Sequence, residues 1–146
     1  MIETFKKYIN DKISLSESDL ERIIFLSVEK KLRRKQYLLE EGEVNKYIAF
    51  ITKGCLRLYR VSSKGDEHIL RFGIENWWMS DVESKTTGLP SQSNIDALED
   101  SELLIWTVEN FNKLLQEIPD FKDFIEKAHL KNLTTFYNRI YNAISQ

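Results

Sequence analysis

The sequence predicts a mainly β fold, a double-stranded β-helix (jelly roll) with flanking N-terminal helices and a long C-terminal dimerisation helix. Three observations predict it. From about Val28 to Thr107 apolar residues alternate with a period of two, and Gly42, Gly54, Gly65, Gly73 and Gly88 punctuate the stretch. On either side of it apolar residues recur at three- and four-residue steps, the spacing of one helix face. The final segment, Phe121 to Gln146, contains neither glycine nor proline.

The elements follow in order. Ile2, Phe5, Tyr8 and Ile9 mark a first amphipathic helix. Ser16 opens a second, with Asp19 three residues on as a weaker stand-in for the capping-box glutamate and Leu20, Ile23 and Ile24 on one face. Tyr47 to Thr52 and Cys55 to Val61 flank Lys53-Gly54, while Cys55 to Ser62 and Asp66 to Phe72 flank Ser63-Lys64-Gly65, which reads as a meander of hairpins with glycine at each reversal. Asn94 to Leu98 and Glu102 to Trp106 are two further strands turned by Glu99-Asp100-Ser101. Many short antiparallel strands at close spacing imply a sandwich or jelly roll. Thr107 is a plausible N-cap for a helix carrying Val108, Phe111, Leu114, Leu115 and Ile118, stopped before Pro119. The chain thus divides into a roll with its N-terminal helices over 1–118 and a long helix over 119–146.

A helix over Phe121 to Gln146 spans on the order of 39 Å, longer than a small β-domain is wide. Its apolar stripe therefore needs a partner beyond its own sheet, and a two-fold homodimer supplies one. The expected interface is Phe121, Phe124, Ile125, Ala128, Leu133, Phe136, Tyr137, Ile140 and Ile144.

Composition narrows the function. With 146 residues the chain is one domain of ordinary size, and at this length folding buries roughly 68% of the unfolded surface, so no metal or disulfide staple is needed. Its 21 basic residues against 23 acidic ones leave a net charge of -2, without the basic excess of a free-standing nucleic-acid-binding domain. The longest apolar run, Tyr47 to Ile51, is far too short to cross a membrane, and Met1 to Lys12 is amphipathic and carries acids, unlike a signal peptide; a cytoplasmic address with no membrane partner follows. The single cysteine, Cys55, reads as a small buried hydrophobe on a strand.

Catalytic and metal-binding patterns are missing. His68 on a strand and His129 on the last helix form no ligand set, so no metal is expected. Glu40, Glu41 and Glu43 surround Gly42 and read as solvated turn acids. Lys30, Lys31, Arg33, Arg34 and Lys35 put charge on both faces of an edge strand, where they discourage edge-to-edge pairing. No nucleophile-elbow, Walker or dinucleotide fingerprint appears, and an enzyme is not expected.

The turn Glu41-Gly42-Glu43, the stretch Tyr47-Ile48-Ala49-Phe50-Ile51-Thr52-Lys53-Gly54, the hairpin Lys64-Gly65-Asp66-Glu67 and the run Ile95-Asp96-Ala97-Leu98-Glu99-Asp100-Ser101 follow one another in a characteristic order. Together with the flanking helices this order resembles the sensor half of the Crp/Fnr transcription regulators, over nearly the whole chain. The resemblance implies a β-roll cup for a cyclic nucleotide, a dimer helix, and a phosphate cassette reading roughly Gly-Glu-Leu, a loop, then Arg-Ser/Thr or Arg-Ala. Such a cassette works by backbone N–H groups facing the phosphate, an arginine forking onto its oxygens and a glutamate accepting the ribose hydroxyl.

In this sequence Ser80 stands where that glycine would be, Asp81 where the glutamate would be and Ser91 where the arginine would be. A buried phosphate without the arginine would lose about 2 to 3 kcal/mol of charge-assisted contact. Ordinary cyclic AMP binding is therefore not expected, and no cofactor is assigned. Trp77-Trp78 with Pro90-Ser91-Gln92 is similar to a branch of the family common in Bacteroidetes-type bacteria. The tryptophans read as core or as a lid over a small ligand. The expected effector contacts are Trp78, Met79, Ser80, Asp81, Ser91, Gln92 and Asn94; Ser91, Gln92 and Asn94 supply neutral donors and acceptors, which suit an uncharged or weakly acidic small molecule, in a cradle without positive charge. Family members carry a winged helix-turn-helix after the long helix, and Gln146 falls where that module would begin. DNA contact is thus assigned to no residue of this chain, which reads as a truncated regulator. The alternative is a cyclic-nucleotide-binding regulatory module or a stand-alone scaffold without DNA binding.

Overall fold

Ile48 to Ile51 are buried on both faces of their strand, which explains an unbroken apolar run where a half-exposed strand would alternate. The computed structural model describes residues 1–145, and side chains throughout except at 129–140 and 145. Helices α1 (Ile2–Lys12) and α2 (Glu17–Phe25) precede β1 (Val28–Leu32), β2 (Tyr37–Leu39), β3 (Tyr47–Lys53), β4 (Leu56–Val61), β5 (Glu67–Gly73) and β6 (Trp78–Met79). Then come α3 (Val82–Thr87), β7 (Asn94–Ala97), β8 (Ser101–Thr107), α4 (Val108–Glu117) and α5 (Pro119–Ser145). The strands form two antiparallel four-stranded sheets, ordered β1-β8-β3-β6 and β2-β7-β4-β5, as the sequence predicts for a jelly roll with helices at both ends.

The first sheet is covered by helices on one side and by the second sheet on the other. Ile48, Phe50, Leu104 and Trp106 face the helices and pack with Phe5, Ile9, Ile23, Phe111, Leu114 and Phe121. Their neighbours Ala49, Ile51, Leu103 and Ile105 face inward and meet Leu56, Ile95 and Ala97 of the second sheet. Strand alternation thus serves two cores from one strand.

The expected meander of hairpins is corrected. Only β4 and β5 form a tight antiparallel pair across Ser63-Lys64-Gly65. The chain crosses from one sheet to the other at Lys53-Gly54 and again at Glu99-Asp100, since β3 pairs with β8 and β6 while β4 pairs with β7 and β5. Short turns look alike in sequence whether they join neighbours in one sheet or strands of facing sheets. At the first crossing Gly54 has φ +105°, and a Cβ there would lie 2.1 Å from Ser101 Oγ, so both backbone and space require glycine. Gly73 marks no reversal; it lies at the end of β5, where a Cβ would sit 2.6 Å from Met79 Cε. Cys55 lies ahead of β4, not on it, and is half-buried. Its thiol is pushed up by burial and by the carboxylates of Glu99 and Glu75, away from a reactive thiolate.

β1 is an edge strand, so its exposed lysines do lie along an unpaired edge. Pro119 opens α5 at its first position, where a missing N–H costs nothing. Phe121 is fully buried in its own chain and has no surface to offer a partner. Phe124 packs edge-on against Tyr8 at 5.7 Å between ring centres, and Ile125 packs on the same helix-side core. Leu133, Phe136, Tyr137 and Ile140 lie outside the described side chains, while Ile144 is 79% exposed.

Candidate functional site

β6 aims its two residues at opposite faces of the sheet. Trp78 turns toward the helices, among the rings of Phe50 at 5.1 Å, Trp106 at 5.5 Å and Phe111 at 5.6 Å, and its Nε1 donates to the Tyr8 hydroxyl at 3.2 Å. Met79 turns inward and is fully buried between the sheets. Trp77 stays on the surface, 37% exposed, so of the tryptophan pair only Trp78 is core.

Beyond β6 the chain closes on itself. The Ser91 hydroxyl donates to the Asp81 carboxylate, and both residues are buried. Ser91 Oγ also accepts the Ser93 N–H at 2.9 Å. Asp81 is fastened from the other side, its backbone N–H donating to Asn45 Oδ1 at 3.1 Å. The Asn45 N–H donates in turn to Ser84 Oγ at 2.9 Å, and the Ser84 hydroxyl to the Leu89 carbonyl at 2.6 Å. Ser91 is paired through its backbone with the predicted Glu41-Gly42-Glu43 turn: Gly42 N–H donates to Ser91 O at 2.8 Å and Ser91 N–H to Glu43 O at 2.7 Å. Asn94 serves the same turn, accepting the Glu41 N–H on Oδ1 at 2.8 Å. Among the described residues no buried side-chain nitrogen or oxygen lacks a partner. The polar groups of the cassette are satisfied by one another and by the turn they hold.

The predicted contact residues therefore do not form one surface. Asp81, Ser91 and Asn94 belong to this closed network, Met79 to the inter-sheet core and Gln92 to the exposed surface. Ser80 and Trp78 line a separate cavity against α4 and α5.

The expectation of a cradle without positive charge is corrected. Arg60 of β4 donates from Nε to Ser93 Oγ at 2.9 Å and lies 3.6 Å from the Glu83 carboxylate. Arg71 of β5 donates to the Trp78 carbonyl at 2.5 Å and, with Lys85 of α3, lines the cavity that contains Ser80. Burial pushes both Arg71 and Lys85 below their ordinary values. Arg60 and Arg71 come from strands outside the cassette, while Lys85 lies in the cassette's own loop between Asp81 and Ser91; for Arg71 a charge set within the apolar run Ile69-Leu70-Arg71-Phe72 is the local signal. Asn45 and Ser84 carried none. On the outer sheet Arg57 forks onto buried Asp96, Nε to Oδ1 at 2.8 Å and Nη2 to Oδ2 at 3.2 Å, and also reaches Glu67. That pair braces β4 on β7 on the sheet's far side.

Among the described residues no group of three or more His, Cys, Asp or Glu could hold a metal ion, and no helix is long and apolar enough to cross a membrane.

The family model for the cyclic nucleotide-binding domain matches residues 29–118, more than half of the chain. The chain belongs to that family. Domains of this kind are regulatory, not enzymatic. Solved structures share the fold of this cyclic nucleotide-binding domain at low sequence identity. The catabolite activator protein of Thermus thermophilus aligns with a TM-score of 0.72 at 16% identity, over 90% of this chain and 61% of that one. A cyclic nucleotide-binding domain from Methylobacillus flagellatus aligns at 0.76 and 15% identity, over 98% and 82%. The sensor domain of the transcriptional regulator DNR from Pseudomonas aeruginosa aligns at 0.65 and 18% identity, over 99% and 91%. The domain thus spans less than two thirds of the Thermus regulator's length. No curated protein matches it in sequence.

Proposed function

We propose that this chain is the effector-sensing and dimerisation domain of a Crp/Fnr-like transcription regulator, acting in the cytoplasm as a homodimer and reaching DNA through a helix-turn-helix module beyond the residues described. It does not take cyclic AMP at its cassette in the usual way. The observation that carries this reading is the Ser91–Asp81 contact: the position of the phosphate arginine holds a neutral hydroxyl, and that hydroxyl already serves a buried carboxylate. A phosphate brought there would face the buried Asp81 carboxylate, a like-charge approach in a desolvated site, while Arg60 is already engaged by Ser93 and Glu83.

The roll touches α5 through Phe121, Phe124 and Ile125. A small molecule that changes this packing would change the pose of α5 and of whatever it carries, which is allosteric only if the two poses differ in affinity for the molecule. The exposed end of α5 at Ile144 supports pairing of helices from two copies. Sedimentation combined with thermal-shift titration tests the reading. A dimer unmoved by cyclic AMP or cyclic GMP is expected; a persistent monomer, or stabilisation by several degrees with either nucleotide, overturns it.

A further inference from the structure

Arg71 and Lys85 line one small cavity, of about 60 Å³, where the roll meets α4 and α5. Both are half-buried, and burial alone lowers each, with no opposing charge to restore it. The only side-chain hydrogen bond Arg71 makes among the described residues is to the Trp78 carbonyl. No carboxylate among the described residues pairs with either cation, and residues 129–140 contain no Asp or Glu that could. Elsewhere the partly buried arginine is treated differently: Arg57 has both Asp96 and Glu67. Two cations withdrawn from water beside one space, without a counter-charge, are costly unless something anionic enters.

We propose that this cavity receives the head group of a small organic carboxylate with an apolar body, and that this anion is the effector of the sensor proposed above, on which reading the inference rests. The guanidinium of Arg71 offers a planar fork suited to a carboxylate, Lys85 a second cation and Ser80 a hydroxyl. The remaining wall is apolar, with Trp78, Phe111 and Ile125 bordering the space that takes the head group, and its open side leaves the apolar body room outside. Ile125 belongs to α5 and Arg71 to β5, so one occupant touches both the roll and the helix it would have to move.

The test uses the full chain with benzoate, neutral benzyl alcohol, inorganic phosphate and cyclic AMP, read by calorimetry and thermal unfolding. Benzoate is expected to raise Tm and to bind at least about tenfold more tightly than benzyl alcohol or phosphate. Arg71→Met and Lys85→Met should each weaken benzoate by about tenfold or more, while Lys85→Arg retains it. Removing an unpaired buried cation should leave the unliganded melting temperature equal or higher. If a methionine variant melts lower, the comparison of Lys85→Arg with the parent, and of benzoate with benzyl alcohol on the parent, still decides. Equal binding of benzyl alcohol or phosphate, or no binding of benzoate, overturns the proposal. Sedimentation of the same samples separates the two readings: a dimer indifferent to benzoate sinks only this one, and a monomer that binds benzoate sinks only the dimeric sensor.

Discussion

The hydroxyl of Ser91 donates to the carboxylate of Asp81 inside a buried network that also ties Asn45 and Ser84 together. In the family's pattern these two positions hold an arginine and a glutamate directed at a ligand. In this chain they are directed at each other. Ser91→Ala would leave a buried carboxylate short of a donor and the Ser93 N–H without its acceptor, at a cost of about 1 to 3 kcal/mol. Chemical denaturation should show that loss, with Ser91→Thr recovering part of it. An unchanged midpoint for the alanine variant would mean that the carboxylate is not dependent on this hydroxyl.

Trp77 and Trp78 are adjacent in sequence and opposite in consequence. Trp78→Ala removes a ring in contact with six other aromatic or core positions on the helix side and should cost about 3 to 5 kcal/mol. Trp77→Ala acts on a surface side chain and should cost less than about 1 kcal/mol. Paired urea melts of the two variants check this, and comparable losses would contradict the placement of β6.

Gly54→Ala should destabilise by about 3 kcal/mol or more, because the new methyl would combine a left-handed backbone with a clash against Ser101. Ser101 cannot simply swing away, since its Oγ accepts the Cys55 N–H at 3.2 Å and donates to the Glu99 carbonyl at 2.8 Å. A Gly65→Ala variant, strained in backbone but with open space around it, provides the milder comparison in the same unfolding assay.

The Gly54 N–H also donates to Glu75 at 2.9 Å, and this bond is the main reason the Glu75 carboxyl lies below its ordinary value. A carboxyl lowered by folding adds stability that is complete above the unfolded value, near 4.5, and disappears as pH falls through the folded one. The gap in stability between the parent and Glu75→Gln should therefore be constant at neutral pH and shrink on acidification. The side chain is largely exposed, so the gap is small. A gap that widened toward low pH would reverse the assignment.

Both polar helix caps are legible in a few neighbouring residues. Ser16 accepts the Asp19 N–H and Thr107 the Asn110 N–H, so both helix starts lie where their caps stood in the sequence. The stop before Pro119 and the hairpin at Ser63-Lys64-Gly65 follow equally from residue chemistry over a few positions. Strands β2 and β6 were not recognised, because three and two residues are too few to show alternation. Periodicity shows that Phe121 is on an apolar face but not which surface covers it, and its own chain buries it completely.

Residue chemistry within a turn or a strand thus suffices for the helices and their caps, for the longer strands and for the absence of an arginine at position 91. It takes the folded chain to pair β3 with β8 rather than β4, to set Ser91 against Asp81, and to bring Arg71 and Lys85 to one cavity beside α5. Those juxtapositions join residues far apart along the chain, where the packing of two sheets and a helix, and no local preference, sets which side chains meet.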